Sequence, residues 1–220
     1  MNNPKFNDLL KWGIENSEVS RNDPNAPKNP NTQLDPQTLQ EILSGMSGPS
    51  DADMMKYKME VIQHPEATLE QKVIAFEDFE MMIQGIDNAN NLEPLKLWTP
   101  LIEQLEHEEA DLRKYAAWCA GTAVENNVKA QERCTDSSWL LLLGALPTLV
   151  KLATEDSNEA VRKKAVRALS CATRNYQPAL DAVVDSVPAT FKPEKELDAT
   201  DMDSVDILID KLRTDATRAR

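Results

Sequence analysis

Aromatic residues, cysteine and histidine are scarce in this chain of 220 residues. Aromatic side chains make up 5% of the residues, whereas hydrophobic residues as a whole reach 41%. The hydrophobic content is therefore sufficient for a packed core, and Leu, Ala, Met and Val must fill most of it. Such a core suits thin layers of helices better than a sandwich of two sheets. The composition favours an all-α protein.

Positive charge is also in short supply, with 24 basic against 37 acidic residues and a net charge of −13. Nucleic acids and anionic membrane surfaces are usually bound by clustered Lys and Arg, so we expect neither as a partner. A membrane-spanning helix needs about 20 apolar residues. The longest apolar stretch, Trp139–Leu146, is far shorter. We therefore expect no membrane-spanning segment.

The three cysteines show neither paired spacing nor an even count, which argues against a disulfide framework. Cys119 and Cys171 fall among small residues of predicted helices, where cysteine usually serves as a buried hydrophobe. The first residues lack the apolar core of a secretory signal. Together these features predict a cytoplasmic location, where thiols stay reduced.

The motifs of common catalytic sites are missing: a glycine-rich phosphate loop, His-Glu-x-x-His and Gly-x-Ser-x-Gly. The two histidines, His64 and His107, lie in predicted turns, where solvent exposure is the ordinary interpretation. The carboxylates of Glu106–Asp111 lack the spacing of a calcium loop and fit the start of a helix. We expect no catalytic residue, no metal, no cofactor and no enzymatic activity.

The chain is organised around an Ala-rich segment, residues 110–127, whose apolar side chains recur at helical spacing. A second copy, residues 160–175, aligns without a gap and places Arg113 on Arg162. A weaker, more acidic copy occupies residues 69–88. The apolar face carries mostly small side chains, so a neighbouring helix is expected to approach closely. Shorter apolar helices precede the copies, including Leu97–Leu105 and Leu146–Leu152.

This alternation of short and long helices, restarting after about 40 residues, predicts an armadillo-like helical repeat solenoid. We assign residues 50–184 to the repeats and residues 185–220 to a connector and a C-terminal capping helix. Residues 1–49 are predicted to be a disordered N-terminal segment with a short amphipathic helix, since residues 20–35 are rich in Pro and Asn.

Two loops are predicted inside the repeats. Residues 87–91 are interpreted as the loop between repeats one and two, and residues 134–139 as a loop insertion that lengthens the third repeat. Asn88, Asn126 and Asn175 recur near the ends of the long helices. They are interpreted either as partner-binding side chains or as helix C-caps, and the two roles are compatible.

Several stretches resemble those of one particular family. The matching stretches are Leu9–Ser17, Gly48–Ser50, Ala75–Glu80, Ile86–Leu95, Leu97–Pro100, Ala116–Cys119, Gly121–Val124, Val161–Ala165 and Asp198–Asp203. The chain is similar to the fungal cytosolic Fes-type nucleotide exchange factors for the 70-kDa heat-shock chaperones, relatives of the animal HspBP proteins. The combination of Ile86–Leu95 with Leu97–Pro100 is the most specific part of the match.

The resemblance implies an armadillo crescent that grips one lobe of the chaperone's nucleotide-binding domain, promotes ADP release and so triggers client release. It also implies roles in protein folding and translation regulation. We expect a monomer whose crescent contacts the chaperone through Asn88, Ala89, Asn90, Glu125, Asn126, Arg174 and Asn175. Ala89 is expected to be a small surface residue, where a bulky charge disturbs the partner and not the fold.

The resemblance further implies that the N-terminal segment is a release element that occupies the chaperone's peptide groove through Leu9, Leu10, Trp12 and Ile14. The alternative is that these side chains dock on the protein's own core. For the protein as a whole, the competing interpretation is a generic armadillo adaptor that binds a peptide and has no exchange activity.

Overall fold

The computed structural model describes residues 4–15, 17, 36, 39–40, 49–125 and 137–219. In this part of the chain the regular structure consists of ten α-helices and one short 3-10 helix, Gln104–Glu106, with no strand. The α-helices are α1 (Pro4–Glu15), α2 (Asp51–Gln63), α3 (Leu69–Ile83), α4 (Ile86–Asn91), α5 (Trp98–Glu103), α6 (Ala110–Glu125), α7 (Ser137–Glu155), α8 (Glu159–Thr173), α9 (Gln177–Ser186) and α10 (Met202–Ala216). The prediction of an all-α protein is confirmed.

The chain divides into two units, Met1–Ser50 and Asp51–Arg220. The first unit contains α1, and the second contains the other helices. No helix in the described part of the chain combines the length and the apolar character that crossing a bilayer requires.

The second unit is built from two layers of helices. Helices α3, α6, α8 and α10 pack side by side in chain order and form one layer. Helices α2, α5, α7 and α9 form the second layer, each contacting the first: α2 against α3, α5 against α6, and α7 and α9 against α8. Each repeat therefore adds one helix to each layer, as expected for a helical solenoid.

Local sequence signals start the long helices. The Thr68 hydroxyl accepts a hydrogen bond from the Gln71 backbone N–H, and the Gln71 side chain accepts one from the Thr68 N–H. This reciprocal pair is the predicted capping box, and it satisfies two donors that the first turn leaves without partners. Asn158 caps α8 by accepting from Ala160 N, and Asp201 caps α10 by accepting from Asp203 N.

A close approach between α6 and α8 explains the small residues of the central repeat. A Cβ atom placed on Gly121 would lie 3.0 Å from the Ala168 Cα, which is tighter than ordinary van der Waals contact. Glycine at this position therefore lets the two backbones meet, as the sequence predicted. Beneath this contact, fully buried side chains such as Phe76, Phe79 and Leu112 belong to one apolar core that continues into α10.

Two predicted loops are corrected by the structure. Residues 87–91, expected as the inter-repeat loop, belong to helix α4 (Ile86–Asn91), with Gly85 in an extended conformation before it and Asp87 in its first turn. An acidic residue there is favourable to the helix dipole. Residues 137–139, the second half of the predicted insertion, are the first turn of α7. Serine is a favoured residue at a helix start. Residues 134–136 lie outside the described residues.

Candidate partner-binding surface

An aromatic stack links α3, α6 and α8 and runs from the buried Phe76 to the half-buried Trp118. We call the solvent-facing side of these three helices the layer face. The Phe76 and Tyr115 rings lie 6.0 Å apart, and the Tyr115 and Trp118 rings 5.8 Å apart, both nearly parallel. The Lys164 ammonium group of α8 lies 3.0 Å from the centre of the half-buried Trp118 ring. Three successive repeats are thus joined by one row of π contacts.

Polar contacts accompany this row. The Tyr115 hydroxyl donates to Glu77 Oε1 at 2.5 Å, and burial followed by this hydrogen bond raises the pKa of Tyr115. Glu80, which is 5% exposed, accepts hydrogen bonds from the Thr122 hydroxyl at 2.8 Å and from the Gln84 amide at 2.9 Å. The carboxylates of Glu77 and Glu80 are therefore both held by hydrogen-bond donors of the layer of long helices. These hydrogen bonds keep the layer face rigid.

The far end of the layer face opens into a cavity of about 820 Å³ between α8 and α10. Its lining residues include Glu125, Lys163, Arg167, Ser170, Cys171, Arg174, Asn175 and Arg213. Four of these side chains are cationic and one is anionic. This composition is unexpected in a chain of net charge −13.

Three predicted contact residues come together at this cavity. Glu125, at the end of α6, accepts a hydrogen bond from Arg167 at 3.3 Å. Arg174 donates to Asp206 of α10 at 2.5 Å and to the Ser170 hydroxyl at 3.2 Å. Asn175 has a positive φ of 59° and its backbone N–H donates to the Ala199 carbonyl. Asn175 thus has the left-handed conformation of a residue that follows a helix, but its N–H bonds Ala199 and not a carbonyl of α8, so the predicted capping hydrogen bond is not the one observed.

The α4 residues lie apart from this cavity, and their side chains have internal roles. The Asn88 amide donates to the Met82 carbonyl at 3.1 Å and to Asp51 at 3.0 Å, so it caps the end of α3. Ala89 is 1% exposed, because α4 packs against α2, α3 and α6. The expectation that Ala89 is a surface residue is therefore wrong, and a bulky charge there would disturb the fold. Asn90 is half-buried.

The remaining predicted residues fall partly outside the described part of the chain. Asn126 lies outside the described residues, and so does the side chain of Leu9. In α1, Leu10 is 64% exposed, Trp12 36% and Ile14 60%. Trp12 and Ile14 each make a further interaction. The role of all these residues in binding a partner stays a prediction.

Sequence reasoning missed Trp118, Lys164 and Arg167. One signal was available: segment 159–173 carries four basic residues and one acidic residue, a strong excess for this chain. The pairing of Lys164 with Trp118 had no sequence signal, because the two residues belong to different repeats.

The two histidines and the two described cysteines, Cys119 and Cys171, have structural surroundings and not those of a reactive centre. The imidazole Nδ1 atoms of His64 and His107 accept backbone N–H bonds from Glu66 and Glu109, so both rings stabilise turns. Burial raises the pKa of the Cys119 thiol well above its usual value, and burial with the Glu125 charge raises the pKa of Cys171 to about 11. Among the described side chains, none of the His, Cys, Asp and Glu residues forms a group that could hold a metal ion.

Two family models match the chain. The model described as nucleotide exchange factor Fes1 matches residues 6–92, and the model described as HEAT repeats matches residues 99–193. The second match agrees with the two-layer helical solenoid described above.

Several curated fungal proteins are similar over almost their whole length. The Hsp70 nucleotide exchange factor FES1 of Gibberella zeae is 50% identical over 217 residues, covering 97% of both chains. The protein of the same name from Coccidioides immitis is 47% identical, covering 94% of this chain and 96% of its own. Hsp70 nucleotide exchange factor fes-1 of Neurospora crassa is 44% identical, covering 97% and 98%. The chain therefore belongs to the Fes1 family of nucleotide exchange factors.

Proposed function

We propose that this protein is a nucleotide exchange factor for a cytosolic 70-kDa heat-shock chaperone. It binds the chaperone's nucleotide-binding domain, promotes the release of ADP and so triggers the release of the client. The observation that carries the proposal is the 50% identity, over 97% of both chains, to a protein named Hsp70 nucleotide exchange factor. The family is one of chaperone cofactors, which agrees with the expectation that the chain is not an enzyme.

Nucleotide exchange requires no bond chemistry from the exchange factor. A binder accelerates ADP release if it has higher affinity for the chaperone conformation with an open nucleotide cleft. The layer face supports such a role, because its helices are held together by the Gly121–Ala168 contact and the stack through Trp118. A rigid surface loses little conformational entropy on binding.

The N-terminal helix supports a second activity in the same reaction. Leu10 and Ile14 lie 64% and 60% exposed on α1, and Trp12 is 36% exposed. We propose that this helix segment competes with clients for the chaperone's peptide groove. Because the segment is covalently attached to the domain that binds the chaperone, its effective concentration at the groove is high.

The first experiment measures ADP release. A fluorescent ADP analogue is released from a cytosolic 70-kDa chaperone in a stopped-flow instrument, with and without the full-length protein at micromolar concentration. Acceleration is expected. The contrary result is an unchanged rate of ADP release while the protein still binds a peptide through its repeats. That result would favour the generic armadillo adaptor over the exchange factor.

The second experiment tests the release segment. In the double variant Leu10→Ala/Trp12→Ala, two apolar anchors are lost, each worth roughly 1.5–3 kcal/mol if fully buried at the contact. Segment binding should weaken by at least about tenfold. Release of a labelled peptide should then fall while ADP release is retained. Lys11→Ala, on the same helix, is the matched control. Equal loss of both activities would assign the segment to the protein's own fold.

We also propose that the protein is cytoplasmic and that it is a monomer. Cell fractionation with a tagged full-length protein, and light scattering of the purified protein, test these two statements. A membrane-bound fraction or a dimeric mass would contradict them.

A further inference from the structure

Charge changes sign from one repeat to the next along the layer of long helices. Helix α3 carries four acidic residues and one basic residue, and α6 carries two of each. Helix α8 reverses the balance, with four basic residues and one acidic residue. Since these helices are neighbours in the order α3, α6, α8, the layer face is acidic on α3 and basic on α8. Helix α10, which follows α8 in the same layer, is acidic again, with four acidic and two basic residues.

At the basic end, the charges face solvent on α8. Arg167 and Lys163 expose about half of their side chains, at 50% and 54%. Lys164 follows Lys163 directly and lies one turn before Arg167, and its pKa is lowered by burial and then by the charge of Arg167. The positive end therefore persists although the chain as a whole is strongly acidic.

The cations at this end already have intramolecular carboxylate partners. Arg167 pairs with Glu125, Lys163 with Glu159, and Arg174 with Asp206. Exposed pairs of this kind are worth at most about 1 kcal/mol each. Carboxylates on a docking protein can therefore replace Glu125 and Glu159 at little cost. A single phosphate group would find no buried donor here, so a broad protein surface fits better than a small anion.

At the acidic end, α3 presents Glu70 and Glu77 to solvent, with Asp78 half-buried. Lys58 of α2 neutralises Asp78 at 2.5 Å. Glu77 accepts a hydrogen bond from the Tyr115 hydroxyl. The two ends of the layer face thus differ in sign where a docking partner would meet them.

We propose that the basic rim of α8, formed by Lys163, Lys164 and Arg167, receives an acidic surface of the chaperone, and that the contrast between acidic α3 and basic α8 sets the docking orientation. The inference rests on the proposed function and names the chemistry of its contact. Complementary charge accelerates association and fixes orientation more than it increases affinity. A like-charged surface at this rim would slow the encounter.

The test compares charge variants of the full-length protein in their association rate with the chaperone at low and at physiological salt. Arg167→Glu should slow association by about tenfold at low salt, and the difference should shrink as salt screens the charges. Lys151→Glu is the matched control, because it makes the same charge change at an exposed position of α7, in the other layer. It should change the rate by less than about twofold.

A second variant separates docking from internal structure. Glu125→Gln breaks the same pair as Arg167→Glu but makes the rim more positive. It should speed association by roughly twofold to threefold. If Glu125→Gln and Arg167→Glu both slow association, the pair matters for the fold and the inference is overturned. If Arg167→Glu has no larger effect than Lys151→Glu while wild type accelerates ADP release, the inference fails and the proposed function stands. If wild type neither binds the chaperone nor accelerates release, both fail.

Discussion

Arg113 of α6 holds the carboxylate of Asp156 in the turn before α8, with its Nε 2.8 Å from Oδ2 and its Nη2 3.2 Å from Oδ1. The same guanidinium donates to the carbonyls of His107 and Glu108, in the turn before its own helix. Arg162, the equivalent residue of the next repeat, donates to the carbonyls of Asp156 and Ser157. Each arginine thus fixes the turn before its own helix. Arg113 also fixes the turn before the next long helix, and Arg162 also binds the end of α10.

Removing the Arg113 side chain should destabilise the stack. The Asp156 side chain is only 4% exposed, so Arg113→Ala leaves a buried carboxylate without its cation. The expected loss is about 3 kcal/mol of unfolding free energy. Urea unfolding followed by helical circular dichroism measures it. Arg213→Ala, which breaks an exposed ion pair with Asp210, should cost less than about 1 kcal/mol. Equal losses in the two variants would contradict the prediction.

Arg162 should hold the C-terminal helix in place. This residue is 1% exposed and donates to the Ala216 and Arg218 carbonyls at 2.9 and 2.8 Å, at the end of α10. Carbonyls at a helix C-terminus lack partners within the helix. Arg162→Met should cost at least about 3 kcal/mol and speed amide hydrogen exchange in α10. Exchange in α10 should stay slow in Arg213→Met, since Arg213 pairs with Asp210 on the surface.

Two glycines should respond in opposite directions to the same substitution. Gly121→Ala brings a Cβ to 3.0 Å from the Ala168 Cα, and overpacking of this kind costs roughly 1–3 kcal/mol. At Gly144, in α7, a Cβ would meet nothing within 4 Å. Gly144→Ala should therefore stabilise by up to about 1 kcal/mol through helix propensity. Thermal unfolding of the two variants gives the sign of each change. Stabilisation by Gly121→Ala would refute the close approach of α6 and α8.

Ala89→Arg should unfold the first repeat locally and lose chaperone binding for that reason. Ala89 is 1% exposed, so the new side chain must displace buried neighbours or leave its charge buried. We expect a loss of at least about 2 kcal/mol. Ile86→Arg is the control in the same short helix, because Ile86 is 48% exposed. Unchanged stability of Ala89→Arg, measured by urea unfolding, would show that α4 can release this residue to the surface.

Cys171 should react slowly with alkylating agents at neutral pH. Burial and the Glu125 charge raise its pKa to about 11, so the neutral thiol predominates below that pH. Because the thiolate is the reactive form, the rate should keep rising about tenfold per pH unit well beyond pH 8.5, where an ordinary cysteine begins to level off. Iodoacetamide labelling followed by mass spectrometry in a Cys134→Ser background isolates this site from Cys134.

In that experiment Glu125→Gln should shift the labelling curve of Cys171 to lower pH, because one of the two causes of the raised pKa is removed. Cys119 should remain unlabelled in the folded protein, since its side chain is fully buried. A labelling rate for Cys171 that levels off near pH 9 would contradict the raised pKa.

Much of the fold could be read from the sequence because its signals are local. The apolar spacing of α6 and α8 is set by the 3.6-residue turn, and the capping box of Thr68 and Gln71 spans three residues. Packing and charge repulsion between residues far apart in the sequence leave these helices as predicted. The alignment of Arg113 with Arg162 was also visible, although what the two guanidinium groups bind was not.

The candidate partner-binding surface depends on tertiary structure more than the long helices do. Residues 87–91 were interpreted as a loop because a six-residue helix is too short to show a hydrophobic period. The hydrogen bond from Asn88 to Asp51 joins residues that are 37 positions apart in the sequence. The burial of Ala89 follows from three helices that close around α4, none of which its own sequence specifies.

The sequence by itself determined the long helices, the capping box of Thr68 and Gln71, and the repeat, since each of these depends on residues within a few turns of one another. Only the tertiary structure decided that Lys164 lies over Trp118, that Glu125 meets Arg167, and that the charge of the long helices changes sign across one face. The physical reason is that such pairs depend on how neighbouring helices cross and on their relative register, which the packing of the whole core sets.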